Sequence, residues 1–145
     1  MELQTSRFGI LEVDEHTIYT FPKGLPGFEE ATKFVIVAPK EEEPFAFLQS
    51  IQNDDLAFVI ADPFMFCENY DFELSDSIIA ELGIDSPEEV LVRSIITIPD
   101  ELDKATINLV APIIFNGPAM IAKQVVLGKT PYSTRHPLFA AAGSR

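Results

Sequence analysis

Catalysis needs nucleophiles, proton carriers or metal ligands gathered in one place, and in this chain the candidates are few and scattered. His16 lies in a predicted tight turn, Asp14-Glu15-His16, and His136 precedes Pro137 near the C-terminus. A metal site takes several His, Cys or carboxylate ligands at workable spacing, and the two histidines have no such company. Cys67, the single cysteine, sits among Phe64, Met65 and Phe66. No basic residue stands near it in the sequence to activate it as a nucleophile, so it reads as a small residue buried with aromatics. A lone cysteine also rules out an intramolecular disulfide or a thiolate metal cage. Adjacent carboxylates recur at Glu29-Glu30, Glu41-Glu42-Glu43, Asp54-Asp55, Glu88-Glu89 and Asp100-Glu101. General acid–base chemistry requires that burial or charge split the pKa values of such a pair. Each of these lies in a predicted loop or helix start, so they are read as solvated surface, some of them forming an acidic docking face. The chain has no G-x-S-x-G elbow, no glycine-rich phosphate loop and no H-E-x-x-H. No enzymatic activity, metal or cofactor is expected.

Recognition by contact is the chemistry that remains. The most unusual stretch is Phe21-Pro22-Lys23-Gly24-Leu25-Pro26-Gly27-Phe28-Glu29. Two X-Pro steps force extended backbone and two glycines release it, which makes a rigid, sharply turning loop. Leu25 and Phe28 within it must either pack down as a plug or be offered to a partner, because large apolar side chains are exposed in patches mainly where they serve a contact. Phe28 is expected to be a plug, and Leu25 is open between the two.

The elements that hold this loop read mainly as strands. Short β-like runs at 10–13, 17–21, 33–38, 45–51, 56–61, 90–98, 105–111, 113–115 and 122–127 are separated by Pro, Gly, Asp and Asn. The first two runs suggest an opening hairpin across 14–16, and the fourth and fifth a hairpin across Gln52-Asn53-Asp54-Asp55. Asn116-Gly117 offers a turn that tolerates positive φ. One helix is predicted. Ser75 or Asp76 caps it, Ile78, Ile79 and Leu82 share its apolar face, and Gly83 takes the left-handed position after it. Ser86-Pro87-Glu88-Glu89 resembles a second, very short helix start in which Glu89 closes a capping box. The expectation is a mainly β fold, a small barrel or sandwich with one or two short helices.

The chain has 145 residues, 47% of them hydrophobic, enough for one domain with a proper core. Its 23 acidic and 10 basic residues give a formal net charge of −13. Such a surface repels nucleic-acid phosphates and anionic membranes, and it speeds encounter with a basic partner. The N-terminus lacks a basic segment followed by an apolar run, and no stretch approaches the roughly 18 apolar residues of a membrane span. A cytoplasmic protein is expected.

Several of these segments together resemble the FliW family, in its usual order. They are the 21–29 loop, Leu48-Gln49-Ser50, and Leu56-Ala57-Phe58 before Asp62-Pro63. Then come Ile95-Ile96-Thr97-Ile98-Pro99, Asn108-Leu109-Val110-Ala111-Pro112-Ile113, Lys123-Gln124-Val125-Val126-Leu127, Tyr132 and Arg135. The resemblance runs from about residue 8 to 138, so residues 1–138 are expected to form one domain and 139–145 a mobile tail. It implies a small antiparallel pseudo-barrel capped by a short α-helix. It also implies two partners: CsrA, a basic dimeric RNA-binding protein that represses translation of flagellin mRNA, and flagellin itself. In that scheme free flagellin occupies the protein, and after flagellin export the protein moves to CsrA and relieves repression by an allosteric route.

The acidity of the chain suits a partner built to bind RNA. A specific complex also needs a desolvated centre, for which the 24–28 loop is a candidate. The candidate contact residues are Leu25, Phe28, Glu29, Glu41, Glu42, Glu43, Asp54 and Asp55. The alternatives are a small-molecule-binding acidic barrel, its twelve Phe residues lining an apolar cavity, and a hydrolase using a carboxylate pair.

Overall fold

The computed structural model describes residues 1–38 and 44–138. The three glutamates at 41–43 and the 139–145 segment therefore lie outside the described residues. In chain order the strands are β1 (Glu2–Thr5), β2 (Gly9–Glu12), β3 (Ile18–Thr20), β4 (Lys33–Val37), β5 (Phe45–Ser50) and β6 (Ala57–Ala61). After the helix α1 (Asp76–Leu82) come β7 (Val90–Thr97), β8 (Thr106–Ile107), β9 (Ile113–Asn116), β10 (Ile121–Gln124) and β11 (His136–Pro137).

Seven of these strands close a barrel in the order β3-β4-β5-β6-β7-β9-β10, with β7 also pairing β9. Neighbours run antiparallel around the ring until β10 meets β3, where Ile121 pairs Thr20 in parallel. An odd number of strands alternating in direction cannot close without one such parallel pair. The expected antiparallel pseudo-barrel is thus present, with one seam of the other kind. Phe21, Leu25, Phe34, Leu48, Ile60, Ile113, Phe115 and Ala122 fill its interior. The rings pack edge to face, with Phe21 and Phe34 centroids 5.1 Å apart and Tyr19 and Phe115 4.8 Å apart. Side chains thus occupy the space that the ligand-cavity alternative needed.

Period-2 alternation sends the other side chains of the same strands outward, where three covering layers meet them. The β1–β2 hairpin lays Leu3 and Val13 on Val35. The loops around Tyr70, Leu109 and Leu138 cover Ala61, Ile96 and Ile107. Helix α1 sets Leu82 against Ile114 and Val125.

The helix has the expected caps. The Ser75 hydroxyl accepts the Ile78 N–H at 3.3 Å, and Gly83 follows at φ +65°. Other expectations need correction. β2 pairs with β1 and not with β3, so the opening hairpin across 14–16 does not form. The Asp14 carboxylate accepts the His16 N–H at 2.9 Å and starts a single 3-10 turn, Glu15–Thr17, that redirects the chain. Only Thr106–Ile107 of the 105–111 run is strand, because Asn108 Oδ1 draws in the N–H groups of Val110 and Ala111 at 3.0 and 3.1 Å. No capping box forms at 86–89: Glu89 Oε1 accepts from Asp85 N–H instead, and Ser86 makes no side-chain cap. Positive φ in the β9–β10 turn falls on Met120, at 54°, and not on Gly117. Phe64 and Met65 face solvent, leaving Cys67 half-buried beside Phe66 under the second layer.

Candidate functional site

The 21–29 loop closes one end of the barrel, and its backbone explains its composition. Phe21 N–H donates to the Thr32 carbonyl at 2.7 Å and Gly24 N–H to the Phe21 carbonyl at 2.8 Å. Leu25 and Phe28 then bond each other in both directions, at 2.7 and 3.3 Å, around Pro26 and Gly27. This pinch drives the chain back onto Gly24. A Cβ at Gly24 would lie 2.5 Å from the Phe28 carbonyl oxygen and 2.6 Å from that of Glu29, and φ there is +63°. Only glycine satisfies both conditions.

The two apolar residues of the loop part company. Leu25 is 2% exposed and belongs to the barrel core. Phe28 is 43% exposed, its ring edge-on to Phe58 at 5.4 Å. The expectation that Phe28 is the plug is therefore reversed: Leu25 fills that role, and its buried side chain is not on offer to a partner in the free protein.

Phe28 forms one wall of an open groove of about 540 Å³. Glu29, Glu30 and Ala31 continue that wall, and Gln52, Asn53 and Leu56 of the β5–β6 turn face them. The two walls are stitched together, since Gln52 Oε1 accepts the N–H groups of Thr32 and Lys33 at 2.8 and 3.2 Å. Ser50 Oγ holds the start of the turn by accepting from Gln52 and Asn53 N–H at 3.1 and 3.0 Å. Beneath it the buried Gln49 amide donates to the Ser50, Asp54 and Leu56 carbonyls at 3.1, 3.3 and 3.2 Å. The Glu29 carboxylate accepts Gly27 N–H at 2.9 Å. Asp54 and Asp55 are exposed in the same turn, outside the groove lining. Ser6 pins them: its N–H donates to the Asp54 carbonyl at 3.0 Å and its hydroxyl to the Asp55 carboxylate.

The structure thus sets Phe28 and Glu29 along one groove, leaves Asp54 and Asp55 exposed in the facing turn but outside the groove lining, and buries Leu25; Glu41, Glu42 and Glu43 lie outside the described residues. In the sequence Gln52 reads only as a turn residue and Phe58 only as part of the Leu56-Ala57-Phe58 segment, with no sign that one joins the groove walls and the other backs Phe28. The motif Leu48-Gln49-Ser50 carried part of that signal, without revealing that Gln49 and Ser50 shape the turn. Behind the loop, Glu81 of α1 takes Lys123 Nζ at 2.9 Å and Lys23 Nζ at 3.6 Å. The Lys123 hydrogen bond is the main cause holding the Glu81 carboxyl below the usual carboxylate range. Among the described residues no three His, Cys, Asp or Glu side chains gather as a metal site, and no helix is long and apolar enough to cross a membrane. A half-exposed aromatic in a groove wall that also carries Glu29 and Glu30 is suited to contact with a partner.

Known proteins agree closely in both sequence and shape. The family model for the FliW protein matches residues 2–138. The flagellar assembly factor FliW of Bacillus subtilis (strain 168) is 42% identical over 138 residues, spanning 95% of this chain and 96% of its own. That of Heliobacterium modesticaldum is 40% identical over 144 residues, 99% of this chain and 94% of its own. A crystal structure of the flagellar assembly factor FliW superposes with a TM-score of 0.91 at 36% identity, covering 98% of this chain and 99% of the other. On a match of that length in sequence and in fold, the chain belongs to the FliW family.

Proposed function

We propose that this chain is a cytoplasmic regulator of flagellar assembly that works by binding other proteins. In this reading it binds CsrA and antagonises it allosterically, and it binds flagellin, so that flagellin export governs flagellin translation. The observation that carries the reading is Phe28, held rigidly at 43% exposure beside Glu29 and Glu30 on a chain of net charge −13. An exposed aromatic beside two carboxylates, on a chain of this net charge, supplies both parts of a specific complex: a centre to desolvate and a field to steer a basic partner. CsrA is such a partner.

Flagellin and CsrA are expected to compete. A switch driven by export requires that bound flagellin lower the affinity for CsrA, and linkage makes the effect mutual. Overlapping contacts achieve this without a conformational change in a close-packed barrel. The test is size-exclusion chromatography with light scattering on an equimolar mixture of this protein, CsrA and monomeric flagellin. Two binary complexes, shifting with flagellin concentration, are expected. A single peak with the mass of all three components refutes competition.

A further inference from the structure

Asn116-Gly117 reads in the sequence as a turn that tolerates positive φ, yet the structure asks nothing of the glycine. Its φ lies outside the left-handed region, and a Cβ built on it would meet only the Glu89 carbonyl oxygen, at 3.6 Å. That is ordinary van der Waals contact, so alanine would fit. What the glycine does change is the chemistry of the residue before it. Asparagine loses its side-chain amide when the following backbone nitrogen attacks Cγ, and a glycine nitrogen has no neighbouring side chain to hinder the approach. Asn53, Asn69 and Asn108 precede Asp54, Tyr70 and Leu109, so Asn116 is the one asparagine of the chain followed by glycine.

The folded protein keeps the reacting groups apart. The Gly117 N–H, whose nitrogen would attack, donates to the Glu89 carbonyl at 3.0 Å. The Asn116 amide, which would leave, donates to the Leu82 and Gly83 carbonyls at 2.7 and 3.2 Å, and its Oδ1 accepts the Ala119 N–H at 3.2 Å. Asn116 is 1% exposed, on a strand flanked by β7 and β10, where it pairs with Val90 and Ile121. Water and base are excluded, and Cγ cannot swing onto the Gly117 nitrogen without breaking these bonds.

From this labile pair in a locked setting we infer that Asn116 is a deamidation site gated by the fold, and that its conversion irreversibly unlatches helix α1. When the β9–β10 turn opens, solvent base takes the Gly117 N–H proton and the nitrogen bonds to Cγ. The Cγ–Nδ2 bond breaks, and the departing nitrogen takes up a proton to leave as ammonia. Water then opens the five-membered imide at either carbonyl, giving aspartate or isoaspartate. Aspartate has no N–H to offer the Leu82 and Gly83 carbonyls, and it sets a negative charge against the negative end of the helix. Isoaspartate lengthens the backbone beside Gly117 and pulls it off Glu89. This goes beyond the function proposed above and stands whether or not CsrA is a partner.

The test incubates the full chain in mildly alkaline buffer, folded and in urea, and follows each asparagine by peptide mapping. A synthetic peptide of residues 113–121 gives the rate with neither fold nor urea. In urea Asn116 is expected to convert faster than Asn53, Asn69 or Asn108. In the folded chain it should convert at least about tenfold more slowly than in the peptide, because only the opened fraction reacts. In Asn116→Asp, amide hydrogen exchange of α1 should quicken at least about tenfold while β4, β5 and β6 keep their protection. Asn116→Ala removes the donor without adding charge, and it reads the same latch if the aspartate variant fails to fold. Protection below about tenfold in the folded chain would overturn the inference. So would a rate in urea no faster than at the other three asparagines, or α1 exchange that the substitution leaves unchanged.

Discussion

Leu25 and Phe28 are three positions apart in one loop, both large and apolar, and only the backbone pinch between them decides which is buried. The sequence shows a rigid loop at 21–29 but not the direction of either side chain, because that depends on where the barrel end lies. Composition did foreshadow the glycine at 24, and the 2.5 Å approach of the Phe28 carbonyl gives the reason. Leu25→Ala is expected to destabilise the fold by about 2–5 kcal/mol, the usual range for truncating a fully buried leucine. Phe28→Ala should cost well under that, since its ring is already half in water, yet it should weaken partner binding. Melting temperature and affinity measured on the same two variants check this: a large loss of stability with Phe28→Ala would make it structural and remove it from the proposed contact. Gly24→Ala should fall with Leu25→Ala, because the added methyl meets backbone that cannot give way.

Helix α1 shows what local chemistry can and cannot announce. Ser75 and Gly83 were legible as caps because capping is a matter of neighbours in sequence. Asn116 was legible only as half of a turn. Its buried amide on β9 in fact donates to the Leu82 and Gly83 carbonyls at 2.7 and 3.2 Å, closing the helix C-terminus from across the fold. Asn116→Ala would orphan those carbonyls at about 1–3 kcal/mol, against about 1 kcal/mol for Ser75→Ala. Denaturant midpoints should rank them in that order. The failed hairpin at 14–16 has a similar origin, since pairing between β1 and β2 is a choice between partners that no strand pattern specifies. Tyr70 offers a pH test of the loop layer. Its hydroxyl donates to the Leu109 carbonyl at 2.8 Å, and burial, then Tyr132 and Cys67, pushes its phenol well above the ordinary value. A raised folded value means that its stabilisation is complete below about pH 10, where unfolded tyrosine begins to ionise, and is lost as pH rises further. Melting temperature should therefore fall above pH 10, less steeply in Tyr70→Phe, with Tyr19, also pushed up by burial, supplying a remainder.

At the scale of the molecule, the mainly β class and the single helix were readable from alternation and punctuation, while the parallel β3–β10 seam was not. It follows from the count of strands in the ring, and the pieces that complete that count, such as the four residues of β10, are too short to identify alone. Net charge needs no structure to read, and it sets the kinetics of any encounter with a basic protein. Association with CsrA should slow as the Debye length shrinks from about 30 Å at 0.01 M salt to about 10 Å at 0.1 M. A salt-independent association rate in stopped-flow mixing would remove electrostatic steering from the account. The central claim, that this acidic barrel acts on CsrA rather than on RNA, is tested most directly by fluorescence anisotropy of a labelled flagellin-mRNA leader bound to CsrA. Adding this protein should release the RNA, lowering the anisotropy to that of free RNA, while the protein alone leaves free RNA unchanged. Anisotropy that stays high at saturating protein, or that rises when the protein meets the RNA without CsrA, would contradict it.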